Sequence, residues 1–279
     1  MEPIVLPNGA ALVPLVPDGA PGHRVAMAQN FSVEWLSISG RPVSVVSRTE
    51  TIIILCAGAA RLANAHAETL LDGPSVAIAP AGSQQITLTL GGPLLILGTD
   101  RTDLDRSDTE ILSHPPDGRI APIEAPFDRK APLKAPLVTA FDDLPNPSNN
   151  PRIRFFQSAT MSVNLVRYEG ARDAKSLSPH SHKDLEQGTL AVTGRYMHHL
   201  RTPWVPDKSL WREDAHIEAG PGTLLLIPPE IIHTTQGVGD ESHLLVDIFA
   251  PPRRDFIAKG FVANAGDYTD PQSAARHLS

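Results

Sequence analysis

Short apolar runs recur along the whole chain, and prolines and glycines separate them. The runs are rich in Val, Ile, Leu and Thr, which favour strands, and turn residues follow most of them. No segment shows a sustained helical period, although the polar stretch 100–112 and the tail after 253 could each carry a short helix. Strands at this spacing predict an all-β protein built as a sandwich or barrel. The main runs are 43–46, 51–55, 76–79, 86–90, 94–97, 162–166, 223–227 and 244–249.

A proline-rich segment divides these runs into two groups. Nine prolines fall within residues 115–151. Proline has no backbone N–H to donate, so we expect this stretch to lie outside any sheet as an extended surface linker. The predicted organisation is a β domain over 1–110, a linker over 111–151, a second β domain over 152–252, and a tail over 253–279 that packs on the barrels.

The two β-rich halves are weak repeats of each other. Residues 73–80 read as a turn, a buried strand and a proline, and residues 220–228 follow the same order. Gln85 stands five residues after the proline of the first segment, and His233 stands five residues after that of the second. The matching offset indicates an internal duplication.

One strand of the first half is apolar on both faces. Residues 51–55 read Thr-Ile-Ile-Ile-Leu, whereas a strand with one face in water is usually half polar. Its outer face should therefore be covered by the second half, by the proline-rich segment or by another subunit in a homodimer. We expect the first half to act as a structural partner of the second.

Candidate metal ligands are concentrated in the second half. Side chains alternate along a strand, so His180 and His182 point the same way and could share a metal ion. Glu186 follows after three residues, which is enough to bring a carboxylate alongside. His233 lies much later, on a further strand. These four residues predict a site for one metal ion.

These residues resemble the two motifs of the cupin superfamily. The first motif is HxH, three or four residues, Glu, and later Gly; the second is Gly, five residues, Pro, x, Gly, two residues, His, three residues, Asn. The residues that fit are His180, His182, Glu186, Gly222, Pro228 and His233. Departures fall at turn positions: Ala174 and Glu230 replace Gly, Gly237 replaces Asn, and Gly194 lies one residue beyond the commonest spacing.

The resemblance is strong over about residues 150–250 and weak over about 40–100. It implies two tandem cupin barrels of the jelly-roll or double-stranded β-helix type, which is a bicupin. The first half has no HxH motif; its nearest histidine is His66, and Gln85 replaces the last ligand. We therefore expect a metal-free first barrel and one divalent metal ion per chain. A ligand set without sulfur suits Fe, Mn, Ni, Co or Zn, and Fe is favoured here.

The alternation of side chains along strands suggests further residues of a substrate pocket. One of His198 and His199 should face the barrel interior, and the sequence leaves open which; it could orient a substrate or simply be a hydrogen-bonded strand residue. Thr235 lies two residues after His233, so both side chains should be on the same face of the strand, and Thr235 could line the same end of the barrel. Arg154 could bind a substrate carboxylate, although a surface salt bridge is the alternative.

The composition limits which classes of molecule the protein is expected to bind. The net charge is −7 with no basic cluster, which argues against nucleic acids and anionic membranes. No signal peptide is evident and no apolar stretch reaches about 18 residues, so we expect a cytoplasmic protein. The expected partner is a small-molecule substrate.

Three functions remain open on the sequence. The resemblance implies a non-haem dioxygenase that binds O₂ beside a small chelating organic substrate. Redox-neutral metal chemistry is the alternative, as in an isomerase, decarboxylase or hydrolase. A non-catalytic metal-dependent binding or sensing protein is the third, because the fold supports all of them.

Overall fold

The computed structural model describes residues 2–16, 21–104, 110–148 and 150–272, and they form short strands joined by turns. The first strands are β1 (Ile4–Val5), β2 (Ala11–Pro14), β3 (His23–Met27), β4 (Ser32–Leu36), β5 (Pro42–Ser47), β6 (Thr51–Leu55), β7 (Gly58–Ala63), β8 (Glu68–Asp72), β9 (Ser75–Ala79), β10 (Gly82–Gly91) and β11 (Leu94–Gly98). The central segment carries β12 (Glu110–Ser113), β13 (Asp128–Arg129) and β14 (Leu137–Ala140).

The second half continues the same pattern. Its elements are β15 (Ile153–Gln157), β16 (Ser162–Glu169), β17 (Gln187–Thr193), β18 (Arg195–Arg201), β19 (Ala215–Ala219), β20 (Thr223–Ile227), β21 (Ile232–Val238), β22 (Ser242–Phe249), helix α1 (Arg254–Ala258) and β23 (Tyr268–Thr269). Short 3-10 turns lie at Phe141–Asp143, Lys208–Leu210 and Ala265–Asp267. The prediction of an all-β protein is confirmed. Within the described ranges, no helix has the length and apolar character that a membrane span requires.

Each half forms a barrel of two facing sheets. The first barrel joins a seven-stranded sheet, ordered β12-β3-β4-β11-β6-β9-β14, to a four-stranded sheet, ordered β5-β10-β7-β8. The second joins a seven-stranded sheet, ordered β1-β2-β20-β17-β22-β16-β15, to a three-stranded sheet, ordered β19-β18-β21. Strand β2 thus pairs with β20 of the second barrel, although it precedes the first barrel in sequence. The predicted domain over 1–110 therefore gives its first two strands to the other barrel.

The two large sheets pack face to face, and this explains the strand that is apolar on both sides. Ile52 and Ile54 of β6 lie in the core shared by the barrels, whereas Ile53 and Leu55 lie in the core of the first barrel. All four side chains are fully buried. Burial of such a side chain contributes roughly 2 kcal/mol, so the shared core stabilises both barrels together. The expected cover for the outer face of β6 is therefore the second barrel.

The proline-rich segment takes part in sheets, contrary to expectation. Strand β12 pairs in parallel with β3, and β14 pairs with β9. Both strands lie at the edges of the first barrel's large sheet. Residues 110–113 and 137–140 contain no proline, so every residue of both strands has a backbone N–H for pairing. Of the helix expected in 100–112, residues 105–109 lie outside the described residues, and the last three belong to β12.

The tail packs on both barrels as far as it is described. Helix α1 is the short helix expected after residue 253, and its Phe256 ring lies 4.4 Å from that of Phe155, centroid to centroid. Strand β23 pairs with β13, and the Tyr268 hydroxyl donates to Glu50 of the first barrel at 2.8 Å. Residues 273–279 lie outside the described part.

Candidate metal centre

Three of the four predicted ligands converge at one end of the second barrel. One ligand nitrogen from each of His180, His182 and His233 can be chosen so that all lie within 4.8 Å of one another. The backbones of His180 and His233 form an antiparallel bridge, with N–H···O distances of 3.1 and 2.8 Å. The segment before β17 is thereby held against β21, which brings together residues that are far apart in sequence.

Backbone carbonyls orient two of the imidazoles. His180 Nδ1 donates to Ser178 O at 2.9 Å, and His233 Nδ1 donates to Ile231 O at 2.9 Å. With Nδ1 committed as a donor, each neutral ring keeps a free lone pair on Nε2. This is how metal-binding histidines are commonly fixed in position and tautomer.

Burial keeps two imidazoles of the cluster neutral. It lowers the pKa of His182 to about 4 and that of His233 to about 3, because a charged imidazolium would lose its hydration. Both imidazoles are therefore unprotonated at neutral pH. A neutral imidazole is the form that binds a metal ion.

The fourth side chain of the cluster is Gln187, which the sequence motif did not assign. Its Oε1 lies 2.8 Å from His182 Nε2 and 3.0 Å from His233 Nε2. Its Nε2 donates to Thr189 Oγ1 at 2.9 Å and to Asp247 Oδ1 at 3.3 Å. An ionised Asp247 carboxylate has only hydrogen-bond acceptors, so the NH₂ group of Gln187 faces it and the Gln187 oxygen faces the imidazoles.

The resulting contact fits a cation. His233 Nε2 and Gln187 Oε1 both present lone pairs to each other at 3.0 Å, since His233 Nδ1 carries the ring proton. Two acceptors in contact gain nothing from each other, whereas a cation between them would satisfy both. Three imidazoles and one amide oxygen form a donor set that suits a divalent first-row metal ion.

Glu186 lies outside this cluster, so its assignment as a ligand is corrected. The side chain is 2% exposed and turns toward the first barrel. Its Oε2 accepts from Gln29 N at 3.0 Å, and its Oε1 lies 2.9 Å from His114 Nε2, a contact that raises the pKa of His114. Adjacent residues at the start of a strand point to opposite faces, so only one of Glu186 and Gln187 can enter the barrel.

The spacing to Gly194 was the signal that could have identified Gln187. Counted from Gln187, Gly194 falls at the commonest spacing of the first motif, whereas counted from Glu186 it lies one residue too far. Gly194 has φ +84°, and a Cβ there would lie 2.6 Å from the His243 ring, so the position requires glycine. The turn that follows β17 therefore also sets the register of the motif.

The cluster opens onto a cavity of about 220 Å³. Its polar wall combines residues from several elements, and phenylalanines close its apolar side. The polar lining includes Arg152, Asn164, Tyr168, Arg172, His180, Gln187, His233, Thr235 and Asp247, and the apolar lining includes Phe155, Phe249, Phe256 and Phe261. Burial raises the pKa of Asp247. Arg152, Tyr168, Arg172 and Asp247 carried no sequence motif, because only folding brings them to this wall.

The remaining candidates divide between the two faces of their strands. His198 faces the barrel interior, is 1% exposed, and its Nδ1 lies 2.9 Å from Thr235 Oγ1. Burial lowers its pKa to about 3. Thr235 lines the cavity, as expected. His199 points away, with its Nδ1 2.8 Å from that of His216.

Arg154 does not reach the cavity. It lies on β15 opposite Leu165 of the shared core and has the same parity as Phe156, which also packs there. Arg154 is therefore not among the lining residues, and the structure does not support its assignment to a substrate pocket.

The first barrel has no comparable cluster among its described residues. Ser44 pairs with Gln85 in the register in which His180 pairs with His233. Gln85 Nε2 donates to Ser44 Oγ, and His66 is exposed in the turn between β7 and β8. The described part of this barrel holds no group of three metal-ligating side chains.

No protein-family model matches the chain, and no curated protein matches it by sequence. Solved structures share its fold. AerE from Microcystis aeruginosa aligns with 89% of this chain and 96% of its own, at 12% identity and a TM-score of 0.53. A formate complex of oxalate decarboxylase from Lactobacillus farciminis aligns with 96% of this chain and 88% of its own, at 12% identity and a TM-score of 0.54.

A Bacillus subtilis oxalate decarboxylase, studied for its Mn(II) centres, aligns with 87% of this chain and 72% of its own, at 12% identity and a TM-score of 0.54. These proteins have the cupin fold. At such low identity the likeness concerns the fold alone. The chain therefore has the cupin fold, with two barrels in tandem.

Proposed function

We propose that the protein is an enzyme that depends on one divalent first-row metal ion, held by His180, His182 and His233 with Gln187 as the fourth donor. The observation that carries this proposal is the contact between the Gln187 oxygen and His233 Nε2, which keeps a free lone pair, at the wall of a cavity. The cavity is small, so the substrate is a small organic molecule.

The donor set favours redox-neutral chemistry. Its three imidazoles and one amide carry no charge, so a bound divalent ion would keep its full charge and supply strong Lewis-acid polarisation to a substrate oxygen. Decarboxylation, isomerisation and hydrolysis all use such polarisation. The oxalate decarboxylases among the structural neighbours, one of them described with Mn(II) centres, support a decarboxylase in particular.

The protein residues around the cluster have distinct roles in this proposal. Asp247 orients the Gln187 amide, and the backbone carbonyls of Ser178 and Ile231 orient two imidazoles. The phenylalanines of the lining exclude water from one side of the cavity. These residues position the donors and the substrate before any reaction begins.

An oxygenase is the second candidate. Four donors on an octahedral ion would leave two open positions, which could give room for O₂ and a substrate, and the sequence resemblance favours this chemistry with Fe. Metal identity and O₂ consumption separate the two candidates.

The test begins with elemental analysis of purified protein. Protein stripped with EDTA is then reloaded with Mn(II), Fe(II), Co(II), Ni(II) or Zn(II) and assayed with small carboxylic and keto acids. We expect metal-dependent product formation without O₂ uptake. O₂ uptake matched to substrate loss would favour the oxygenase, and metal binding without turnover of any acid would favour a binding or sensing protein.

A further inference from the structure

Two arginines of the cavity wall have no acidic partner. Arg152 and Arg172 both line the cavity, and neither lies within 4 Å of a carboxylate in the described part of the chain. Two arginines near the tail differ from them: Arg129 contacts Glu50 at 3.3 Å, and Arg253 contacts Asp255 at 2.8 Å. An unpaired guanidinium in a cavity retains its capacity to bind an anion.

Neutral groups hold Arg172 in place. Its Nη1 donates to Thr235 O at 2.9 Å, and its Nη2 donates to Ser178 Oγ at 3.0 Å. Its Nε is buried and has no hydrogen-bond partner among the described residues. Burial and the charge of Arg152 both lower the pKa of Arg172, so the charge is uncompensated where it stands.

Arg152 is held on the same side of the cavity. Its Nε donates to Asn150 Oδ1 at 3.3 Å, and its guanidinium lies 5.9 Å from the centroid of the Tyr168 ring. No described residue accepts a hydrogen bond from its two terminal nitrogens. Two like charges on one wall repel each other, and an anion between them would remove that repulsion.

The arginines adjoin the histidine cluster. Ser178 accepts from Arg172 through its hydroxyl and from His180 through its carbonyl, so one residue separates the two sites. The only carboxylate that lines the cavity within the described residues is Asp247, and its oxygens already accept from Thr189, Gln187 and Asn164. A ligand must therefore supply the negative charge.

We infer that the substrate is a small organic acid with two anionic groups, one bound by Arg152 and Arg172 and the other presented to the histidine cluster. The inference rests on the proposed function for the second group and on the arginine pair alone for the first. The cavity of about 220 Å³ limits the acid to a few carbon atoms. The arginine pair thus selects a dicarboxylate over a monocarboxylate of similar size.

Isothermal titration calorimetry tests this inference with malonate, succinate and acetate as probes. The proteins are wild type, Arg152→Gln, Arg172→Gln and the double variant, each metal-free and loaded with Mn(II). Arg167→Gln is the matched control, because it removes one positive charge from β16 at an exposed pair with Asp142. Arg172→Lys keeps the charge and removes the paired donors. Circular dichroism and metal content establish that each variant is folded and loaded.

We expect wild type to bind at least one dicarboxylate more tightly than acetate. Each glutamine variant should weaken that binding about tenfold or more, with Arg172→Lys intermediate and Arg167→Gln unchanged. Equal affinity of wild type and the double variant for both dicarboxylates overturns the inference, as does equal wild-type affinity for dicarboxylates and acetate.

The two proposals fail separately. Arginine-dependent binding of a dicarboxylate, together with failure of the wild-type protein to take up any of the divalent metal ions, would support the anion site and overturn the proposed function. Metal binding at the histidine cluster without arginine-dependent binding would overturn the anion site and leave the metal centre intact.

Discussion

Glu50 and Glu186 occupy equivalent positions in the two barrels, and each carboxylate accepts a hydrogen bond from the backbone of the other barrel. Glu50 Oε2 accepts from Ala159 N at 2.9 Å, and Glu186 Oε2 accepts from Gln29 N at 3.0 Å. Gln29 lies in the turn between β3 and β4, and Ala159 lies in the corresponding turn between β15 and β16. The two contacts form a reciprocal clamp between the barrels.

The clamp follows from the duplication and explains why Glu186 is unavailable to a metal ion. Each glutamate directly precedes an inner strand of its barrel, β6 or β17, and the residue after it starts that strand. In the first barrel this residue is Thr51, which pairs with Ala79, the residue before Pro80. In the second barrel it is Gln187, which pairs with Ile227, the residue before Pro228.

The first prediction separates the roles of Glu186 and Gln187. Glu186→Ala leaves Gln29 N and His114 without their buried acceptor, so the free energy of unfolding should fall by about 3 kcal/mol. Gln187→Ala removes a donor to the metal ion, so metal affinity should fall. Urea unfolding and elemental analysis of both variants measure the two effects.

Glu50→Ala is the matched control for the clamp. It should also weaken the fold by a few kcal/mol and leave metal content unchanged. Loss of the metal ion from the conservative variant Glu186→Gln, with Gln187→Ala still fully loaded, would contradict this assignment.

The second prediction concerns metal stoichiometry. The first barrel places Ser44 and Gln85 where the second places His180 and His233, so one ion should bind per chain. His182→Ala should empty the site while the circular dichroism spectrum stays unchanged, since no apolar core residue is touched. His66→Ala serves as the control, because that side chain is exposed and distant from the cluster. Close to two tightly bound ions per wild-type chain would show that the first barrel also binds metal.

The third prediction concerns the shared core. A fragment of residues 150–279 would lack β2, which pairs with β20, and would expose the face that packs on Ile52 and Ile54. We expect this fragment to aggregate, because a large apolar face would meet water. Size-exclusion chromatography and thermal unfolding provide the measurement. A monomeric fragment with the full chain's metal content and melting temperature would refute a structural role for the first barrel.

The fourth prediction concerns pH. Burial lowers the pKa of His198 to about 3, whereas in the unfolded chain it is about 6.5. The folded state therefore resists protonation, so stability is complete above about pH 6.5 and falls as the pH decreases toward 3. When the pH is lowered from 7 to 5, the contribution of His198 should reduce the free energy of unfolding by about 2 kcal/mol.

His198→Gln should remove that part of the pH dependence. Urea unfolding of metal-free wild type and variant at both pH values measures it, and the other histidines cancel in the comparison. An identical pH dependence in the two proteins would mean that His198 is not held neutral by burial.

The sequence by itself determined the strand content, the duplication and the convergence of three histidines. Apolar runs bounded by turn residues depend on local chain geometry, which a sequence records directly. His180 and His182 share a face because strand side chains alternate, and His233 is located by its offset from the proline of the repeat. Each of these relations spans few residues, and the resemblance to the two cupin motifs joined the two distant segments.

The tertiary structure alone decided which neighbour enters the barrel, which wall the arginines share and which barrel receives β2. Glu186 turns outward because Gln29, far away in sequence, offers a backbone donor on the other barrel. Arg152 and Arg172 line the same cavity although one precedes β15 and the other follows β16, and nothing in their own sequence neighbourhoods marks them. Such choices depend on partners that only long-range packing brings within hydrogen-bond distance. Side chains alternate along β17, so a one-residue change of register decides whether Glu186 or Gln187 faces the histidine cluster and which of them contacts the other barrel.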